Sequence, residues 1–116
     1  MDKTTQNEIE NTKAQMRKGI LEFCILLMIG QGKMYASKII KELTKADLIV
    51  VEGTIYPLLN RLKRAGLLDY SWEESKSGPP RKYYTLTKKG RETLDDLSKT
   101  WETFSNSIKG LVKKFK

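Results

Sequence analysis

The chain has 116 residues, 39% of them hydrophobic, and carries a formal net charge of +8 at pH 7. That length suits one small domain, and the positive surplus favours a polyanionic partner such as nucleic acid or an anionic membrane. There is no histidine and one cysteine, Cys24, which excludes a Ser-His-Asp triad, a Cys-His pair, an intrachain disulfide and a thiolate zinc cage.

The first predicted element is a helix from about Glu8 to Ile29, after a flexible polar terminus over residues 1–8. Apolar residues recur in it at helical spacing, and Gly30 is typical of a helix stop. Its apolar run is about ten residues long, whereas a membrane span needs about 20. Cys24 lies inside that run, and we interpret it as a small core residue. The polar terminus does not resemble a signal or transit peptide, so we expect a cytoplasmic protein.

Two short helices are predicted next, over about 35–43 and 53–65, and Gly66 supplies the stop of the second. The apolar residues of the later helix fall on one face: Ile55, Leu58, Leu59 and Leu62. Proline is tolerated only in the first turn of a helix, so Pro57 predicts a start near Gly53 or Thr54. The β-branched stretch 48–51 between the two helices predicts one short strand.

A β-hairpin follows the third helix. Leu68, Tyr70 and Trp72 alternate with polar residues, as in a half-buried strand. Residues 75–80 have the composition of a turn, and a second strand is predicted over about 81–85. The hairpin therefore has a basic tip rich in glycine and proline.

The last predicted element is a helix that Thr87 caps and that reaches the C-terminus. Its apolar residues step alternately by three and four over three heptads, which is the a/d pattern of a coiled coil. So long a seam has little in its own chain to pack on, and we expect it to pair with a second copy. The predicted dimerisation residues are Ile20, Phe23, Leu27, Leu94, Leu97, Trp101, Phe104, Ile108 and Leu111.

This order of elements is that of a winged helix-turn-helix with an added dimerisation helix, a mainly α fold with a small β-hairpin. Residues 9–87 form the DNA-binding domain in this interpretation, and residues 88–116 form the dimerisation helix. In such a fold the third helix enters the major groove and the hairpin tip reaches the backbone. The candidate DNA contacts on these two elements are Thr54, Tyr56, Pro57, Asn60, Arg61, Lys63, Arg64, Lys76, Arg81 and Lys82. Basic residues opposite an apolar face are also typical of a merely solvated surface, and Tyr56 also suits packing.

Three motifs carry a family resemblance. The sequence GTIYPLLNRLKRAGLL at 53–68, followed by WEESKSGPPRKYYTLTKKGRETL at 72–94, resembles the PadR family of bacterial transcription regulators. MYASKIIKEL at 34–43 is similar to the family's second helix. The chain departs from the family pattern at Ala36, Ile55 and Lys63, and the resemblance extends over about 19–94. Its length and single C-terminal helix resemble the compact members.

The resemblance implies a homodimer in which the C-terminal helix packs on the first helix of the partner. It also implies binding to an inverted-repeat DNA operator, usually as a repressor. By position it adds Ser37 and Lys38 to the DNA contacts. In some compact members a tryptophan on the last helix stacks flat aromatic ligands, which makes Trp101 and Phe104 the candidate effector site. We expect no cofactor and no metal.

Several alternatives stay open at this point. Trp101 and Phe104 also suit ordinary dimer packing, and a DNA-binding adaptor or architectural protein without an effector fits the same features. A membrane-surface protein would use the basic end of the last helix, 109–116. An enzyme is disfavoured because the chain lacks histidine and shows no phosphate-binding loop or paired-carboxylate motif.

Overall fold

The computed structural model describes residues 2–48 and 50–116. The elements in chain order are α1 (Lys3–Gly30), β1 (Met34–Tyr35), α2 (Ala36–Lys45), α3 (Glu52–Arg64), β2 (Leu68–Ser75), β3 (Gly78–Leu86) and α4 (Lys88–Phe115). Three helices, a hairpin and a long terminal helix follow one another, which confirms the predicted mainly α fold class.

Helix α1 begins at Lys3, earlier than the start predicted near Glu8, so residues 3–8 are part of the helix. Asp2 provides the reason, because its carboxylate accepts a hydrogen bond from the Thr5 amide at 2.8 Å. This is an N-cap, which satisfies an amide that the helix itself leaves without a partner. The same hydrogen bond lowers the pKa of the Asp2 carboxyl.

The sheet has three antiparallel strands in the order β1-β3-β2. The hairpin is longer than predicted, because β3 begins at Gly78 and only residues 76–77 form the turn. Trp72 pairs with Lys82 across it. The predicted burial of alternate residues in β2 is wrong at Trp72: Leu68 is 1% exposed, but Trp72 is 63% exposed. The outer part of the hairpin extends past the core, so its apolar residues meet no second layer.

The predicted strand at 48–51 does not form at Leu48, Val50 or Val51, and Ile49 lies outside the described residues. Instead β1, which the sequence pattern did not predict, pairs with Tyr84 and Tyr83 on the free edge of β3. Because β1 occupies this edge of β3, the edge is not available to another strand. The β-branched stretch serves as a connector, in which Leu48 and Val50 are half-buried against the core.

Helix α3 begins at Glu52, so Pro57 lies in its second turn rather than in its first. A proline there leaves the Gly53 carbonyl without its usual helical partner. Gly53 is exposed, and water can therefore satisfy that carbonyl. The helix tolerates the proline because the freed acceptor faces solvent. At the other end Gly66 has a φ of 80° and ends the helix as predicted.

The core joins α1, α2 and α3 to the sheet and to the start of α4. Its fully buried side chains include Ile25, Leu26, Ile39, Ile55, Leu59, Leu62, Leu68 and Tyr84. Cys24 packs half-buried against this cluster, and burial raises the pKa of its thiol. Among residues 2–48 and 50–116, no helix combines the length and the apolar character needed to cross a bilayer.

Helix α4 starts as predicted, with the Thr87 hydroxyl accepting from the Gly90 amide at 2.9 Å. Its first turns pack on α1, where Leu94 is 5% exposed and close to Gly30. One turn beyond Leu97, the rings of Trp101 and Phe23 lie 6.3 Å apart. The beginning of the predicted seam is therefore used within the chain.

Candidate nucleic-acid interface

One groove brings together residues from α2, α3 and the hairpin. It encloses about 260 Å³. We call it the basic groove, and it is lined by Tyr35, Ala36, Ser37, Tyr56, Trp72, Pro80, Arg81, Lys82 and Tyr84. Ser37, Tyr56, Arg81 and Lys82 were candidate DNA contacts in the sequence. Residues from three separate segments thus meet at one surface.

Helix α2 begins at the edge of the basic groove. Its N-cap residue, Tyr35, makes no side-chain capping hydrogen bond. The amides of the first helical turn lack intrahelical partners and carry partial positive charge, which suits a phosphate oxygen. Ser37 is exposed in this turn and adds a hydroxyl donor beside these amides.

Aromatic rings support the two cations of the basic groove. The Arg81 guanidinium carbon lies 4.5 Å from the centre of the Tyr35 ring, and the Lys82 ammonium lies 3.9 Å from that of Tyr70. Within the described residues, neither cation has a carboxylate oxygen within 4.0 Å. A ring face fixes a cation in position without cancelling its charge, so both charges stay available to a polyanion.

Three other predicted contacts are paired with carboxylates. Lys38 lies 3.1 Å from Glu42 one turn along α2, and this hydrogen bond lowers the pKa of the Glu42 carboxyl. Lys63 lies 3.7 Å from Asp69 at the start of the hairpin. The third pair joins Arg61 to Glu22, two helices apart. These pairs reduce the free charge of the surface that the sequence suggested.

The remaining candidates lie outside the basic groove but are exposed. Thr54, Pro57, Asn60 and Arg64 project from α3, while Lys76 occupies the turn of the hairpin. Their exposure is compatible with contact to a duplex, because α3 and the hairpin tip are separate points of approach.

Sequence reasoning missed Tyr35, Tyr70, Trp72 and Pro80 as parts of this surface, and Glu22 as the partner of Arg61. For Trp72 a signal was available, because the correct hairpin register pairs it with Lys82. The sequence predicts a longer turn, at residues 75–80, and this longer turn gives a different register.

A second surface runs along α1 and α4. Beyond the Phe23–Trp101 contact the apolar side chains of α4 lie open, with Phe104 59% and Leu111 58% exposed. Leu27 is also exposed on α1. A continuous apolar stripe of this kind is typical of an interaction surface. The predicted effector residues, Trp101 and Phe104, both belong to it.

Comparison with known proteins identifies the family. The sequence model described as "Transcriptional regulator PadR-like family" matches residues 25–96, which include the basic groove and the first turns of α4. The chain belongs to the PadR-like family. It is a PadR-like transcriptional regulator, as the motifs predicted.

Solved structures of transcription factors and regulators share this fold. A PadR-like transcription factor from Bacteroides fragilis is 52% identical, with a TM-score of 0.73, and the match covers 87% of this chain and 98% of that one. A PadR-like transcriptional regulator from Bacillus cereus is 39% identical, with a TM-score of 0.77 and coverage of 84% and 96%. A transcriptional regulator from Streptococcus is 36% identical, with a TM-score of 0.76 and the same coverage.

Proposed function

We propose that this PadR-like regulator binds an inverted-repeat DNA operator as a homodimer and represses transcription by covering a promoter. In this proposal α3 enters the major groove while the basic groove takes the neighbouring backbone. The observation that carries it is the pair of cations, Arg81 and Lys82, held on aromatic rings beside the uncapped start of α2. Amides, hydroxyls and uncancelled cations are the groups that bind phosphate. The cytoplasm, where such an operator is accessible, stays the expected location.

The open face of α1 and α4 supports the dimer. Trp101, Phe104, Ile108 and Leu111 are between 45% and 59% exposed, and burying such side chains against a second copy is strongly favourable. A symmetric dimer presents its two α3 helices to two half-sites, which lie one helical turn or roughly 34 Å apart. The two-fold symmetry of the protein would then match that of an inverted repeat.

A titration with duplex DNA tests the proposal. The duplexes are the promoter of the protein's own gene, a scrambled duplex of equal length and the isolated half-site, each at several salt concentrations. We expect the promoter to bind more tightly than the scrambled duplex, with two protein chains per site. Equal affinity for all three duplexes would contradict operator recognition.

A small aromatic effector belongs to the same proposal. Trp101 and Phe104 offer exposed rings at the proposed dimer interface, and a flat ligand between two copies would alter the spacing of the α3 helices. A ligand shifts that spacing only as far as it prefers one geometry over the other. Fluorescence of Trp101 in a Trp72→Phe background, titrated with phenolic compounds, reports such binding without a contribution from the hairpin. An unchanged signal together with operator binding would favour the alternative, an adaptor or architectural protein without an effector.

The membrane-surface alternative has its own test. The end of α4 carries Lys109, Lys113 and Lys114 beside exposed apolar residues, a composition that also suits an anionic bilayer. Vesicles containing phosphatidylserine should not compete with the promoter duplex if the proposal holds. Vesicle binding without duplex binding would favour the membrane-surface alternative over the DNA-binding proposal.

A further inference from the structure

Glu22 of α1 and Arg61 of α3 form an ion pair across the helical layer. Arg61 Nε donates to Glu22 Oε1 at 2.8 Å, and Arg61 Nη2 contacts the other carboxylate oxygen, Glu22 Oε2. Two parallel contacts of this kind restrict the orientation of both side chains as well as their distance. The pair therefore fixes the orientation of the solvent-exposed face of α3 relative to α1.

The surroundings of the two charges are unequal. The Glu22 side chain is only 16% exposed, whereas that of Arg61 is 53% exposed. A largely buried carboxylate needs a charged partner, because removing the partner leaves an uncompensated charge in the interior. Within the described residues, Arg61 is the cation found within 4.0 Å of Glu22. Arg61 is thus committed to a partner inside its own chain, unlike Arg81 and Lys82.

The Glu22–Arg61 pair lies between the proposed DNA-binding surface and the proposed dimer interface. Arg61 directly follows the exposed Asn60, while Leu58 and Leu62 on the same helix are buried. On α1, Glu22 directly precedes Phe23, whose ring approaches Trp101 of α4. The ion pair consequently joins the proposed reading face of α3 to the helices of the proposed dimer interface.

We infer that Glu22 is a positioning residue for DNA binding: through Arg61 it holds α3 in the orientation that meets the major groove. This inference rests on the proposed function. In this inference Arg61 acts by binding Glu22. Arg61 does not need to make the phosphate contact predicted from the sequence. Without the Glu22–Arg61 pair, α3 adopts several orientations. The affinity for DNA then falls with the fraction of molecules whose α3 is in the orientation that binds DNA.

The direction in which one substitution changes DNA affinity distinguishes a positioning role of Glu22 from a purely electrostatic effect. Glu22→Gln removes a negative charge close to a DNA-binding surface, and electrostatics alone would strengthen DNA binding. Positioning predicts the opposite, a loss of about tenfold if one molecule in ten keeps the competent orientation. Arg61→Lys extends the test, because lysine retains the charge but cannot form the two-pronged contact.

The experiment measures promoter-duplex affinity across a salt series for the wild type, Glu22→Gln, Arg61→Gln, Arg61→Lys and the double variant Glu22→Gln/Arg61→Gln. We expect about tenfold weaker binding in each single variant. The salt slope should stay unchanged, since no phosphate contact is lost. The double variant should be no weaker than either single one, because both remove the same ion pair. Glu10→Gln breaks an exposed pair with Lys13 on the same helix and should change nothing.

Two results would overturn the inference: unchanged or tighter binding by Glu22→Gln, or a slope that falls by about one unit in Arg61→Gln, the sign of a lost phosphate contact. Urea unfolding of the same variants provides a double-mutant cycle that does not depend on DNA. If the wild type bound no duplex, the proposed function would fail, and the cycle would still decide the pair. With Lys13→Gln and Glu10→Gln/Lys13→Gln added as a control cycle, coupling no greater than that between Glu10 and Lys13 would then reject it.

Discussion

Gly90 in the first turn of α4 lies directly against the backbone of Leu67, so closely that a β-carbon at position 90 would overlap the Leu67 carbonyl oxygen. Leu67 follows the end of α3 and begins the approach to the hairpin. The Thr87 amide donates to the same Leu67 carbonyl at 3.1 Å, and the Thr87 hydroxyl donates to Gly66 at 2.6 Å. These two hydrogen bonds hold the start of α4 against the segment that follows α3.

Replacing Gly90 with alanine should lower the free energy of unfolding by about 3 kcal/mol, because the added methyl group meets a backbone atom that has no other rotamer to adopt. Urea denaturation followed by circular dichroism measures the change. Gly110→Ala is the matched control on the same helix, since a β-carbon there meets nothing within 4 Å. The control should be neutral or more stable by up to about 1 kcal/mol. Equal effects at both positions would show that the Leu67 contact is unimportant.

Arg81→Gln should reduce the salt slope of duplex binding by about one unit and weaken binding to all sequences alike. The reason is that Arg81 rests on the Tyr35 ring and has no carboxylate partner to compensate for its charge among the described residues. The measurement is the logarithm of the binding constant against the logarithm of salt concentration. Lys113→Gln removes the same charge at the far end of α4 and should leave the slope as it is. A slope unchanged by Arg81→Gln would remove the basic groove from the interface.

Periodicity and capping predicted most of the helical framework, because those signals are local. Leu58 and Leu62 recur on the buried face of α3, and Thr87 caps α4 through a residue three positions away. The signals that failed depend on distant partners. Strand β1 has two residues and exists only because β3 offers a free edge. Helical wheels likewise cannot show that Arg61 meets Glu22, 39 positions earlier.

The same difference explains how the candidate site fared. Exposure of Thr54 and Asn60 follows from their place opposite the apolar face of α3, which the sequence contains. Cation positions depend on ring faces and carboxylates that folding brings close, as with Lys82 and Tyr70. A sequence therefore identifies basic residues but does not separate a free charge from a compensated one.

Phe104→Glu combined with Ile108→Glu should convert the proposed dimer into monomers that keep their helical content. Both side chains are more than half exposed within the chain, so the substitutions spare its own core. Each contributes roughly 1.5–3 kcal/mol when buried at an interface, and each change occurs in both copies. Sedimentation equilibrium measures the mass. Thr103→Glu with Lys109→Glu, beside the seam on the same helix, should leave the dimer intact. A dimer that survives the seam substitutions would refute pairing through α4.

Asp47 follows the end of α2 with a φ of 62°, a conformation that costs most residues about 1–2 kcal/mol. It permits the Leu48 amide to reach the Leu43 carbonyl at 2.8 Å, which closes the helix end. Aspartate is poorly suited here, because its negative charge lies next to the negative end of the helix dipole. Asp47→Asn should keep the backbone conformation and raise the free energy of unfolding by about 0.5 kcal/mol, less at high salt. Asp47→Val should lower it by about 1–2 kcal/mol, since a β-branched side chain does not fit a positive φ. Urea denaturation of the two variants gives the order Asn, Asp, Val if this is correct, and a valine variant as stable as the wild type would mean that the turn relaxes without cost.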